Sequence, residues 1–279
     1  MIYYPQFLNG MTAQRPYTAG RGYKTVSNDL PSGYRYSYAW RGTGLSGQPL
    51  GPLGRWEIPY SVLTDAEAAT LESFFVSMQG RYGQFTFLDP AGNLVQNSQN
   101  FSDVSWTHAG GASVSASGVS DPFGGTGAQT LASAGTNSTM TTSILPQGTA
   151  SGYVLCVSAW VRAHIAQSLY IGLVDSGANM LGGVLWTLPA NVWKRIYARV
   201  ILATQLPVSM LLGGNNSWAG TSLDVFGPQC ISGSGPGGYA STPGDYGYHT
   251  NCQFDMDTLT FEYNGYNRTG AHVVIAETN

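Results

Sequence analysis

Charge is scarce in this chain. Only 10% of its 279 residues are Asp, Glu, Lys or Arg, against roughly 25% in an ordinary soluble domain. The net charge is −3 and no basic stripe runs along the sequence, which argues against nucleic-acid binding. Cysteine is scarce too. Cys156, Cys230 and Cys252 are an odd number at long spacings, so neither a disulfide framework nor a zinc site underlies the fold. They read as small buried apolar residues, with a Cys230–Cys252 bridge left open. No apolar run approaches the ~18 residues of a membrane span. The opening Met1-Ile2-Tyr3-Tyr4-Pro5 lacks a basic and an apolar region, so no signal peptide is expected. Catalytic signatures are missing as well. His108, His164, His249 and His272 are scattered, and no Gly-x-Ser-x-Gly, His-Glu-x-x-His or phosphate loop appears.

What is present is hydrophobic residues (43%), enough for a core, and abundant Gly (37) and Tyr (17). Ser, Thr and Asn fill the polar positions. A surface of hydroxyls and amides suits a mainly β protein of extracellular or virion type. It also suits a chain that covers itself with further copies, because interface cores are poor in charge.

Pro5, Gly10, Pro16, Gly20 and Gly22 mark residues 5–22 as an irregular arm. Tyr34, Tyr36, Tyr38 and Trp40 then recur at period two, which places four aromatics on one strand face. That face is expected to be an oligomer interface or a half-buried strand rather than a ligand platform. A Gly- and Pro-rich loop follows over 42–54.

Residues 56–93 hold the strongest local signals. Trp56, Ile58, Tyr60 and Val62 alternate with polar residues, and Pro59 argues for an edge strand or a bulge. Thr64-Asp65-Ala66-Glu67 is a capping box. Ala68, Leu71, Phe74, Phe75 and Met78 form an apolar helical stripe, and Gly80 stands where a left-handed cap belongs, predicting a helix over about 64–79. Glu67 and Glu72 read as cap and surface charges. Phe85 and Phe87 then share a strand face that stops at Asp89-Pro90-Ala91-Gly92-Asn93. The stretch LTDAEAATLESFFVSMQGRYGQFTFLDPAGN, following a strand, resembles the distal tail and lambda-like minor tail proteins of long-tailed phages. The resemblance spans about 40 residues and implies a ring, hexameric in that family, at the tip of the tail tube.

Composition shifts at Asn97 toward Gly, Ser, Thr and Ala. Strands are expected near 112–117, 127–133, 138–144, 153–163, 168–174, 182–187, 192–202, 206–213 and 221–227, a spacing that indicates a β-sandwich. The segments NLVQNSQNFSDVSWTHAGGASVSA, YVLCVSAWVRA, VWKRIYARVIL and LDVFGPQC look like successive strands of the jelly-roll, carbohydrate-binding-module-like domains found on phage tail and fibre proteins. That resemblance implies a glycan-binding or decorating module without catalysis. Trp106, Trp160 and Trp193 match the framework of such domains and read as core. Trp218, with Asn215 and Asn216 in a Gly/Asn loop, is the glycan candidate, with Trp186 at a strand end as a second aromatic; the alternative for Trp218 is a loop anchor. Asp121 beside Gly124 and Gly125 lacks the spacing of a calcium cage and reads as a turn. Asp103, Asp121, Asp175 and Asp224 are the carboxylates available to a polysaccharide hydrolase, with Asp224 expected to face out from its strand.

Toward the end, Cys252, Phe254 and Met256 alternate, then Leu259, Phe261 and Tyr263 in the opposite phase. This predicts one long strand with a bulge at Asp257-Thr258, followed by a turn at Asn264-Gly265 and a last strand from His272 to Ala276. The expected organisation is a discontinuous ring domain, 1–97 and 237–279, with a sandwich inserted over 98–236. The expected function is a structural protein of a phage tail tip or baseplate, made in the bacterial cytoplasm and carried in the virion. Its expected partners are itself, tube and hub proteins, and host glycans; no cofactor, metal, membrane insertion or enzyme activity is expected. The alternative is a secreted lectin or adhesin.

Overall fold

The computed structural model describes residues 2–8, 54–135, 137–145, 152–203, 206–214, 216–218, 220–242 and 247–278. Tyr34, Tyr36, Tyr38, Trp40 and Asn215 lie outside the described residues. The fold is mainly β, and the chain forms two compact units: Met1–Ala91 with His249–Asn279, and Gly92–Tyr248.

The first unit is built on one sheet. Its strands are β1 (Arg55–Leu63), β2 (Phe85–Leu88), β13 (Tyr248–Phe254), β14 (Phe261–Gly265) and β15 (Arg268–Glu277), in the order β1-β15-β13-β2 with β14 also on β15. Among the described residues β1 pairs only with β15, so Pro59 sits on an edge. Trp56, Ile58 and Tyr60 are buried as the alternation requires, but a register shift after Tyr60 puts Leu63, not Val62, in the core. The phase slip near Asp257 separates two strands, β13 and β14, rather than bulging one; both pair antiparallel with β15, at different stretches of it. Asn264 and Gly265 end β14, and the turn itself falls on Tyr266-Asn267.

Helix α1 (Asp65–Ser77) lies between β1 and β2. Thr64 Oγ accepts from the Glu67 amide at 3.2 Å and the Glu67 carboxylate accepts from the Thr64 amide at 2.8 Å. At the other end Gly80 adopts φ +61° and its amide donates to Phe75. Leu71 and Met78 are buried, with Ala68, Phe74 and Phe75 packed against the same core. Residues 2–8 contribute as well. The Tyr4 amide donates to Thr86, the Thr86 amide to Ile2, and Tyr4 and Phe7 enter the aromatic core. The Tyr4 and Tyr60 hydroxyls meet at 2.8 Å, and burial drives the Tyr60 pKa upward.

The second unit is a sandwich of two five-stranded sheets. One runs β10 (Trp193–Ile201), β7 (Val154–Ala163), β12 (Ser222–Ser232), β5 (Ala128–Ala132), β4 (Ser113–Val119). The other runs β3 (Trp106–Ala109), β6 (Thr139–Leu145), β11 (Val208–Gly213), β8 (Gln167–Asp175), β9 (Met180–Leu188). All the pairs are antiparallel. Inward residues, such as Leu155, Val157, Ala159 and Val161 of β7 and Leu169, Ile171 and Leu173 of β8, are wholly buried. The sequence pattern missed β3, which has only four residues. It also ended β12 early, because Gly227 (φ +58°) and Pro228 interrupt the alternation where the register shifts.

Entry to and exit from the sandwich are tied together. The Asn93 side chain donates to the carbonyls of Pro228 (3.1 Å) and Ala240 (3.0 Å) and accepts from the amides of Val95 and Cys230 (both 3.0 Å). The Thr242 hydroxyl donates to Val95, and the Thr242 amide donates to Ser98 Oγ at 3.1 Å. Residues 92–97 and 237–242 therefore belong to the sandwich, although their composition does not mark them as such. Cys156, Cys230 and Cys252 are buried and free, which closes the question of a Cys230–Cys252 bridge.

Candidate functional site

Trp218 is 1% exposed. Its indole N–H donates to the Thr221 carbonyl at 3.0 Å, its amide to Ser168 at 3.0 Å, and its ring lies against Gly213. It anchors the loop and has no free face for a sugar. Asn216 is exposed at φ +55°, as a turn residue. Trp186, half-buried on β9, donates its N–H to the Tyr197 carbonyl at 2.9 Å, stands 5.5 Å from the Tyr197 ring, and carries the Lys194 ammonium 4.7 Å above its own ring.

A different group of residues comes together on the outer face of the β10-β7-β12-β5-β4 sheet. Period two sends Val157, Ala159 and Val161 inward, so Trp160 and Arg162 point out; on β10, Ile196 and Ala198 point in and Trp193, Arg195, Tyr197 and Arg199 point out. The register aligns these in cross-strand rows. Trp193 lies opposite Arg162, which lies opposite Asp224, which lies opposite Thr130. Arg195 lies opposite Trp160, which lies opposite Phe226. The Arg162 guanidinium sits 4.9 Å from the Trp193 ring and that of Arg195 4.2 Å from Trp160, both within cation–π reach. Phe123, 68% exposed, leans edge-on against Trp160 at 5.3 Å.

Trp160 and Trp193, expected in the core, are half-buried on this face instead. The signal that could have found them is the alternation itself: Trp160-Val161-Arg162 and Trp193-Lys194-Arg195 each put an aromatic and a cation on one side of a strand. Trp106 is buried as expected, 4% exposed.

Asp224 does lie on the outer side, but beneath its neighbours. Its carboxylate accepts from Thr130 Oγ1 (2.6 Å), Arg162 (2.8 and 2.9 Å) and His164 Nε2 (3.1 Å), and its side chain is 2% exposed. Burial pushes its pKa up, and the hydrogen bonds from Thr130, Arg162 and His164 outweigh that and hold it below the usual range. Asp121 is a turn clamp. It accepts from the amides of Phe123 (2.8 Å), Gly125 (3.0 Å) and Gly127 (3.1 Å), which more than offset burial and lower its pKa. Asp103 and Asp175 are lowered by the turn partners Ser105 and Asn179. A glycosidase acid needs the opposite, a carboxyl raised toward neutrality, so none of the four is placed as that acid.

No family model matches the chain, and no curated protein matches it. Solved structures do align with it. The bacteriophage CBA120 tailspike protein 4 enzymatically active domain aligns at 12% identity over 52% of this chain and 22% of that one, with a TM-score of 0.37. A xylan-binding domain from CBM 22 aligns at 15% identity over 52% of this chain and 97% of that one, at 0.42. The CBM22-1–GH10 modules of Clostridium thermocellum xylanase 10B align at 9% identity over 52% of this chain, at 0.40. This chain spans 22% of the tailspike and 28% of the xylanase modules. Each likeness falls below a TM-score of 0.5.

What the outer face can do follows from its chemistry. Trp193, Tyr197 and Phe123 offer ring surface to the C–H faces of sugars, and guanidinium and imidazole N–H groups can donate to hydroxyl and carboxylate oxygens. Among the described residues no group of three or more His, Cys, Asp or Glu could hold a metal ion.

Proposed function

We propose that the chain is a non-catalytic structural protein of a phage tail tip or baseplate, and that its sandwich binds a glycan on the host surface. The observation that carries the glycan reading is the Arg162–Trp193 aromatic–guanidinium pair on the outer face of β7 and β10, beside the exposed Tyr197. The tail reading is supported by the resemblance over residues 56–93, where the capped helix and aromatic strand build the core of the first unit. In this reading the protein forms a ring, contacts tube and hub proteins, and resides in the virion. The hairpin of β14 and β15 presents Tyr263 (83% exposed) and Tyr266 (99% exposed), surface suited to burial against another copy.

Two measurements test it. A glycan array with the full chain should give hits that Trp193→Ala weakens and Trp218→Ala does not, in samples still folded at the assay temperature; an array without hits removes the glycan reading. The mass of the purified protein should be that of a ring. A monomer found free in culture supernatant would favour a secreted lectin using the same face.

A further inference from the structure

The same outer face holds three of the sandwich's four Lys and Arg side chains, Arg162, Arg195 and Arg199, while Lys194 has the phase of the inward Ile196 and Ala198. Residues 92–248 contain four basic side chains, Arg162, Lys194, Arg195 and Arg199, and all four stand on the paired strands β7 and β10. The acidic residues of the same stretch are spread differently. Asp103 and Asp175 are held in their own turns, Asp121 has its oxygens taken by amides, and Asp245 lies outside the described residues. Among the described residues only Asp224 makes an ion pair with these four cations, and its partner among them is Arg162. Among the described residues Lys194, Arg195 and Arg199 have no carboxylate within ion-pair distance.

The three cations differ in availability. Arg195 donates to Ser158, Gln229 and the Gly237 carbonyl at 2.7–3.2 Å, which fixes it as a structural clamp. Lys194 covers Trp186. Arg199 is exposed, on the same face of β10 as Tyr197 (42% exposed) two residues before it. A chain of net charge −3 thus sets Arg199, with no carboxylate partner among the described residues, beside exposed aromatic surface. A neutral sugar needs hydroxyl-directed amides and carboxylates; this surface offers guanidinium forks, whose geometry matches a carboxylate in two parallel hydrogen bonds.

Resting on the glycan reading above, we infer that the ligand is an acidic polysaccharide, one whose sugars carry carboxylates. Its rings lie along Trp193 and Tyr197, and its carboxylates reach Arg199 and the exposed part of Arg162. Asp224 then has a positioning role: it holds Arg162 over Trp193 and leaves one side of that guanidinium for the ligand.

The test uses the full chain and three polymers, polygalacturonate, the same polymer methyl-esterified, and neutral xylan, with binding followed by calorimetry. Polygalacturonate should bind, and esterification should weaken it about tenfold or more, the size expected for losing charge-assisted hydrogen bonds. Arg199→Gln should weaken polygalacturonate about tenfold while leaving the melting temperature unchanged. Arg268→Gln, an exposed cation of the other unit, should leave binding as it is. Equal binding of the esterified polymer or of xylan would overturn the acidic assignment and leave the glycan reading standing. Binding of none of the three, with an array also empty, would remove both. Binding of polyphosphate as tight as that of polygalacturonate would show a cationic patch without sugar recognition and would overturn the inference.

Discussion

Single side chains decide how this protein's aromatics are used. Trp218 sits in a loop rich in Gly and Asn, where an exposed platform is a natural expectation, yet its ring fills the space left by Gly213 and its N–H is satisfied by Thr221. Trp218→Ala should therefore cost about 3–5 kcal/mol of sandwich stability, read as a lower urea midpoint; a loss under about 1 kcal/mol would contradict the anchoring role. Asp224 gives a pH dependence. Its pKa is lower in the folded state than in the unfolded chain, so its stabilising contribution is complete above the unfolded value of about 3.9 and is lost as pH falls through the lower folded value. Thermal melts from pH 7 down to pH 3 should show stability falling in the acid range, with part of that fall absent in Asp224→Asn.

Helix α1 shows how local chemistry carries an element. Its N-terminus is closed by reciprocal bonds between Thr64 and Glu67, and Thr64→Ala should destabilise the first unit by about 1 kcal/mol. Two glycines show what close approach adds to backbone strain. Gly80 (φ +61°) has its nearest neighbour 3.6 Å from an added Cβ, so Gly80→Ala should cost only the conformational penalty of about 1–2 kcal/mol. Gly213 (φ +87°) would place a Cβ 2.3 Å from the Ser138 carbonyl and 2.8 Å from the Trp218 ring, so Gly213→Ala should lower stability by more than Gly80→Ala does. Comparing the two variants by chemical denaturation checks the ordering.

At the scale of the molecule, the bonds from Asn93, Ser98 and Thr242 hold together the two ends of residues 92–248. A fragment of residues 92–248 should therefore fold cooperatively by itself, with its near-UV spectrum and melting transition matching one of those of the full chain. A fragment cut at 98–236 loses Asn93 and Thr242, leaving the Cys230 amide and the Pro228 carbonyl without their partners, and should be less stable by several kcal/mol, about 1–3 for each buried group orphaned. Equal stability of the two fragments would show that the ties at the junction contribute little.

The sequence by itself determined the elements whose signals are local. The capping box, the apolar stripe and Gly80 specify α1 within a few residues, and alternation with Gly and Pro punctuation places most strands of the sandwich, because both depend on neighbours three or four positions away at most. It also carried the aromatic and cation pairs of β7 and β10, which alternation puts on one side of each strand. Period two separates two faces of a strand but does not say which faces water; that is settled by what the opposite sheet covers. Only the tertiary structure therefore decided that Trp160 and Trp193 face out, that Trp218 is inside, that Asp224 lies beneath Arg162, and that β13 and β14 are separate partners of β15. Each of these depends on contacts between residues tens of positions apart, where register and burial, rather than local preference, set the free energy.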